Sequence, residues 1–207
     1  MLKIYHAPGT RGFRVIWLCE ELGVPYQIVP VNMAPAYRAT PEWRKLNPVG
    51  KVPVMSDGEL TMFESGAMVQ YVLDKYGNAR LRPAPEADDY GLYLQWIWFA
   101  EATFGRPLGE IVNHRREFKD NPLPEVVEEM KDRSRLAAIA VDNALADKEW
   151  IMGSAFSAAD VMLGLTLRSF MKHMGEELPG KLPAYRDRLA ARPAYKAAIA
   201  AETQAAK

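Results

Sequence analysis

The chain has 207 residues, 49% of them apolar and 25% charged, with 26 basic and 26 acidic side chains and so no formal net charge. That balance argues against a general affinity for nucleic acid or for an anionic membrane, both of which need a basic surplus, and no window approaches the length of a membrane span. The single cysteine, Cys19, rules out an internal disulfide and fits a cytoplasmic setting, and three scattered histidines (His6, His114 and His173) do not add up to a metal site.

Leu2 to His6 is short and β-prone, with no export signal before it. Ala7-Pro8-Gly9-Thr10 is turn chemistry. From Arg11 to Leu22 the apolar residues Val15, Ile16, Leu18, Cys19 and Leu22 recur at helical spacing, and Gly23 is a C-terminal stop. Tyr26 to Val31 is a second strand, so the opening reads as a βαβ unit with parallel strands. Ala34 to Asn47 reads as irregular, with at most a turn or two of helix around Glu42 to Leu46. Val52 to Ser56 and Glu59 to Met62 flank Asp57-Gly58, a hairpin signal. Glu64 to Tyr76 is a helix.

Composition then changes. Residues 78–87 carry Pro83 and Pro85 among small and charged residues and read as a linker. Everything beyond is helix-prone. One long helix starts at Tyr90 and continues past a bend at Gly105-Arg106-Pro107. Others cover Pro124 to Ala146 and Ser157 to Met171, and two shorter ones follow Pro183 and Pro193. The alanine-rich C-terminus is predicted to fray. The expected organisation is an α/β domain over 1–77, the linker over 78–87, and an all-α helical bundle over 88–207.

The most informative stretch is Asn47-Pro48-Val49-Gly50-Lys51-Val52-Pro53-Val54-Met55, followed by Phe63-Glu64-Ser65-Gly66-Ala67. Proline cannot donate to a sheet ladder, so Pro53 belongs at a strand start or edge. A tight turn there suits a cis Val52-Pro53 bond, the isomer that only X-Pro bonds adopt cheaply. Such a turn exposes the backbone N–H and C=O of Val52, to which an extended peptide could add as a strand. Glu64-Ser65 offers a carboxylate, a hydroxyl and free helix N–H groups nearby. Together these features suit a small peptide that carries an amine and carboxylates.

These motifs resemble those of the cytosolic glutathione transferases, and the resemblance covers nearly the whole chain. A thioredoxin-like N-terminal domain with a Val-Pro turn and a Glu-Ser helix start is followed there by an all-helical second half. Phe156-Ser157-Ala158-Ala159-Asp160-Val161 resembles the family's capping box and hydrophobic staple: Ser157 caps the helix, Asp160 reaches back to the cap N–H, and Phe156 packs onto Val161 or a neighbour. The resemblance implies that glutathione is the co-substrate, that its thiol is activated as thiolate and added to a small hydrophobic electrophile in detoxification, and that the protein is a cytoplasmic homodimer. The same scaffold implies two alternatives: a glutathione-dependent isomerase, dehalogenase or ether-cleaving lyase, or a non-catalytic glutathione-binding or regulatory protein.

By resemblance, Thr10 aligns with the activating serine of the serine-type members, four residues before Arg14. Threonine keeps the hydroxyl but adds a methyl that restricts its rotamer. The other reading of Thr10 is a plain helix cap, and Tyr5 competes as the hydroxyl donor. Arg11 stands where cysteine-type members carry their cysteine, which removes the mixed-disulfide route. It either holds the thiolate or a substrate carboxylate, or is a solvated first-turn charge. Cys19 reads as a packed apolar residue. For glutathione the expected contacts are Lys51 and Val52 on the peptide backbone and glycyl carboxylate, Glu64 on the ammonium and Ser65 on the γ-glutamyl carboxylate. Asn47 and Pro48 read as turn formers, and Trp43 and Arg44 as a surface loop or a closure of the glycyl end. For the electrophile the candidates are Phe13, Trp98, Phe99, Phe104 and Arg106, with Phe104 and Arg106 ranked first because Pro107 should open the helix beside them.

Overall fold

The computed structural model describes residues 1–121 and 123–206. They form two compact units, Met1–Arg80 with Ala190–Lys207, and Leu81–Leu189. The division falls inside the segment expected as a linker. The last stretch of chain joins the first unit and not the helical domain expected over 88–207.

The first unit holds β1 (Leu2–His6), α1 (Phe13–Leu22), β2 (Tyr26–Pro30), α2 (Pro35–Arg38), α3 (Pro41–Leu46), β3 (Val54–Asp57), β4 (Leu60–Phe63), α4 (Ser65–Tyr76) and α10 (Pro193–Ala205). The sheet order is β2-β1-β3-β4. β1 pairs with β2 in parallel, as a strand–helix–strand crossover requires. β3 runs antiparallel to β1 and β4 antiparallel to β3. Leu2, Ile4 and His6 alternate inward on β1. Helix α1 buries nearly its whole length, Phe13 to Cys19. It ends at Gly23, whose φ of 67° is the left-handed conformation of a helix stop. Helix α10 explains why the C-terminus does not fray. Its Tyr195 ring packs edge-on against Phe13 and Trp17, at 5.3 and 4.9 Å, and Arg192, at its cap, makes a two-pronged bond to Glu21 at 2.6 and 2.7 Å.

Two local readings shift. The segment after β2 contains two short helices, and Thr40 caps the second by accepting from the Trp43 N–H. The hairpin pairs Asp57 with Leu60, so Gly58-Glu59 forms the turn and Asp57 ends the strand. Asp57 then turns to α4 and accepts from Lys75 Nζ, Tyr76 OH and Tyr71 OH at 2.6, 2.5 and 2.8 Å. These donors hold the Asp57 carboxyl down at about 2, with Lys75 the largest cause and Tyr76 next. A carboxylate with a depressed pKa contributes stability that is present above its unfolded value of ~3.9 and is lost as pH falls through the folded value. Urea unfolding between pH 4 and pH 2 should therefore show about 1–2 kcal/mol of loss that Asp57→Asn removes, a value reduced for the solvent around Lys75.

The second unit is helical: α5 (Tyr90–Trp98), α6 (Arg106–Glu117), α7 (Pro124–Leu145), α8 (Ala158–Met174) and α9 (Leu182–Ala191). The expected bend before Pro107 takes the form of a π-helical segment, Phe99–Gly105, between α5 and α6. Proline has no N–H to give to the preceding turn and its ring crowds that turn, so the turn widens. Helix α8 is the core of this unit, with Ala158 to Leu167 buried on all sides. It runs three residues past the expected end and stops at Gly175, φ 69°. Its N-terminus carries the expected capping box. Phe156 packs on Trp150, with ring centroids 5.1 Å apart. Among the described residues, no helix is long and apolar enough to cross a membrane.

Candidate functional site

The sheet register sets the site. Tyr5 pairs with Val54, and Val54 with Phe63. The turn after β1, the entry to β3 and the exit from β4 therefore leave the sheet at one rung. Thr10, Val52-Pro53 and Glu64-Ser65 lie on those three segments, 55 residues apart in sequence at the extremes.

The turn after β1 is tight. Thr10 Oγ1 donates to Ala7 O at 2.7 Å and lies 3.2 Å from His6 Nδ1. Helix α1 begins at Phe13 with Gly12 at its cap and no side-chain cap bond. The hydroxyl thus faces back into the turn instead of capping the helix, and Thr10 is half-buried. Gly12 is needed for space: a Cβ there would stand 2.4 Å from His6 Nδ1 and 3.2 Å from the Pro53 ring. That close approach joins the Thr10 turn to the Val52-Pro53 turn. Tyr5, the competing donor, instead sits edge-on to Trp43, 6.2 Å between centroids, in a small cluster with Val31 and Val54.

The Val52-Pro53 peptide bond is cis. Val52 lies before the first paired residue of β3, outside the ladder. Buried Asn47 builds the turn that delivers it. The Asn47 amide donates to Lys51 O at 2.8 Å, and its carbonyl oxygen accepts from Val49 N–H at 3.1 Å. Arg44 braces the same loop through Pro48 O at 2.5 Å. Trp43 is a core residue, not part of a surface loop. Lys51 is exposed.

Glu64 precedes α4 with φ 80° and ψ 105°, a conformation that costs a non-glycine residue ~1–3 kcal/mol and concentrates at ligand sites. The Glu64 side chain is exposed, and the first-turn N–H groups of α4 have no intrahelical acceptor. Ser65 is buried, and its Oγ accepts from Arg14 Nη1 at 3.1 Å. The arginine takes one of the oxygen's two lone pairs, and the Ser65 O–H remains a donor group. Arg11 is half-buried in the turn before α1. Cys19 lies in the core, and burial pushes its thiol up to about 12, so it is no nucleophile.

The electrophile candidates separate. Phe13 is fully buried against Trp17 and Tyr195, and Phe104 is fully buried against Phe170, so both rings are packing residues and not pocket walls. The expectation that Pro107 would turn Phe104 outward fails: the ring instead lies in the core, 6.0 Å from the Phe170 ring. Arg106 is exposed, pairs with Glu110 at 2.8 Å and lines a groove of about 420 Å³ with Phe99, Thr103, Pro107 and Leu136.

Two polar residues of the site had no signal in the sequence. His6 is 1% and Glu202 4% exposed, and His6 Nε2 meets Glu202 Oε1 at 2.9 Å. Gly9 N–H donates to the same oxygen at 2.8 Å. They stand 196 residues apart. Glu202 lay in a tail expected to fray.

The architecture is a thioredoxin-like sheet domain followed in sequence by a helical unit. The family model described as "Glutathione S-transferase, N-terminal domain" matches residues 1–74. Glutathione S-transferase 3 of Schizosaccharomyces pombe is 30% identical over 171 residues, 77% of this chain and 70% of that one. The disulfide-bond oxidoreductase YfcG of Escherichia coli is 26% identical over 168 residues, 78% of this chain and 76% of its own. The crystal structure of a theta class glutathione S-transferase from Xanthomonas axonopodis pv. citri, with glutathione bound, superimposes with a TM-score of 0.80 at 30% identity, covering 96% of each chain. The chain belongs to the glutathione S-transferase family.

Proposed function

We propose that this enzyme binds glutathione on its first unit, ionises the thiol beside Thr10 and adds it to a small hydrophobic electrophile. The observation that carries this reading is the convergence at one sheet rung of a half-buried hydroxyl, an unpaired strand entry and a helix start bearing Glu64 and Ser65. Each matches a part of the tripeptide. Val52 supplies main-chain pairing, with Lys51 beside the glycyl carboxylate. Glu64 takes the ammonium. Ser65 and the α4 N–H groups take the γ-glutamyl carboxylate. Thr10 faces the sulfur, with Arg11 as a nearby cation. A free thiol has a pKa of about 8.5, and bringing it down by roughly two units takes ~2.7 kcal/mol of preferential thiolate stabilisation. A hydroxyl bond and a neighbouring cation together reach that range.

Arg106 and its groove on the second unit are the candidates for holding the electrophile, while Phe13 and Phe104 are packing residues. The protein acts as a cytoplasmic two-fold homodimer. Exposed Phe63 and Leu60 on the first unit, and Trp98 on the second, supply apolar surface for it. The experiment is calorimetry with glutathione, read together with the ultraviolet band of bound thiolate and turnover of an activated aryl halide. Binding, band and turnover together are expected. Binding without the band would favour a non-catalytic binding protein, and binding with the band but turnover only by elimination or isomerisation would favour the related lyase and isomerase chemistries.

A further inference from the structure

The relation of His6, Glu202 and Thr10 has a chemical direction. Glu202 Oε1 accepts from Gly9 N–H at 2.8 Å and sits 2.9 Å from His6 Nε2. An oxygen already accepting from a backbone N–H is an acceptor, so the imidazole proton lies on Nε2 and points at Glu202. With the ring neutral, this sets the tautomer. His6 Nδ1 then carries its lone pair, and its partner is Thr10 Oγ1 at 3.2 Å. The Thr10 hydroxyl thus has two acceptors in reach, Ala7 O at 2.7 Å and His6 Nδ1. Both ring and carboxylate are buried, at 1% and 4% exposure. A buried base held by a buried carboxylate and facing a hydroxyl is the geometry that activates nucleophiles.

We infer that His6, oriented by Glu202, takes up the glutathione thiol proton through Thr10. The inference rests on the function proposed above. Thr10 turns its hydroxyl from Ala7 O to His6 Nδ1; the S–H bond breaks as its proton passes to Thr10 Oγ1, and the original Thr10 proton passes to His6 Nδ1. Thr10 ends as it began, with its O–H now donating to the sulfur. His6 becomes imidazolium, donating from Nδ1 to Thr10 and from Nε2 to Glu202. No proton leaves the protein, and the charge separated is one thiolate and one imidazolium, the latter already paired. His6 and Glu202 touch no substrate and act only through Thr10. The glycine at position 12 leaves room for the ring, since a Cβ there would strike Nδ1 at 2.4 Å.

The test uses the whole wild-type protein. Glutathione is titrated at neutral pH into protein carrying ¹⁵N-labelled histidine, while the thiolate band is recorded. Calorimetry in buffers of different ionisation enthalpy counts the protons released. As the band grows, the His6 Nδ1 resonance should move from the lone-pair to the protonated range, with close to zero protons released per thiolate. A thiolate band with His6 still neutral, or His6 doubly protonated before glutathione is added, or about one proton released per thiolate, would overturn the relay. Glu202→Gln keeps an oxygen for Gly9 and for Nε2 but removes the charge. It should cut the thiolate fraction at neutral pH about tenfold while glutathione affinity changes less than about threefold, because loss of one opposite charge shifts a titration by roughly one unit. An unchanged thiolate fraction in a folded Glu202→Gln protein would also overturn it. Neither heat nor band in the wild type would sink the glutathione reading itself, a different outcome from binding with an unmoved His6.

Discussion

Thr10→Val should lose about two orders of magnitude in turnover with glutathione and an aryl halide, while glutathione still binds within a few-fold of its wild-type affinity. Valine nearly keeps the shape of threonine and removes the oxygen that donates to Ala7 and lies beside His6. Removing one preorganised donor to a developing anion costs ~10²–10³ in rate, about 2.7–4 kcal/mol. The residues proposed to anchor glutathione, Lys51, Val52, Glu64 and Ser65, lie on other segments and are untouched, so affinity should hold. Thr10→Ser restores the hydroxyl without the methyl and should recover most of the rate. Steady-state kinetics on the three proteins, with glutathione calorimetry, reads both quantities. Full turnover in Thr10→Val would give the thiolate role to another donor.

The largest stability effect should come from Asp160. This fully buried carboxylate accepts from Ile151 N–H at 2.9 Å, Ser157 N–H at 2.8 Å, Ser157 Oγ at 2.9 Å and Tyr185 OH at 2.6 Å. Burial pushes the carboxyl up against the pull of these four bonds. Asp160→Ala leaves four buried donors without that acceptor, each at a cost of ~1–3 kcal/mol when truly stranded, partly relieved where water or a rotated hydroxyl compensates. A loss of about 3–5 kcal/mol is expected, against ~1 kcal/mol for an ordinary exposed cap. Asp160→Asn keeps the shape and one acceptor oxygen and should lose less. Chemical denaturation of the three proteins orders them, and a loss under 1 kcal/mol for the alanine variant would show that the network is replaceable.

What could be read in the sequence follows from the range of the interactions involved. The βαβ opening, the hairpin and the capping box are local patterns, in which each residue's partner lies within a few positions, and the structure contains all three. Pro53 and the Glu-Ser helix start also carried their meaning locally. The packing of α10 onto α1 joins residues more than 170 apart, and the alanine-rich composition of that helix masked it. The same distance hid Glu202, an acid among alanines whose burial depends on a strand at the other end of the chain. His6 read as one of three scattered histidines because its partners, Glu202 and the Thr10 turn, are assembled only by the fold. Phe13 and Phe104 illustrate the opposite error. An aromatic at helical spacing fits a core or a pocket equally, and only the packing of Tyr195 and Phe170 against them decides.

The first unit is proposed to hold glutathione with its sulfur deprotonated. Titrating the ultraviolet thiolate band of the bound tripeptide against pH measures that directly. The band should reach half its height at or below about pH 7, roughly two units under the free thiol. A midpoint that stays near the free-thiol value, with glutathione demonstrably bound, would contradict it.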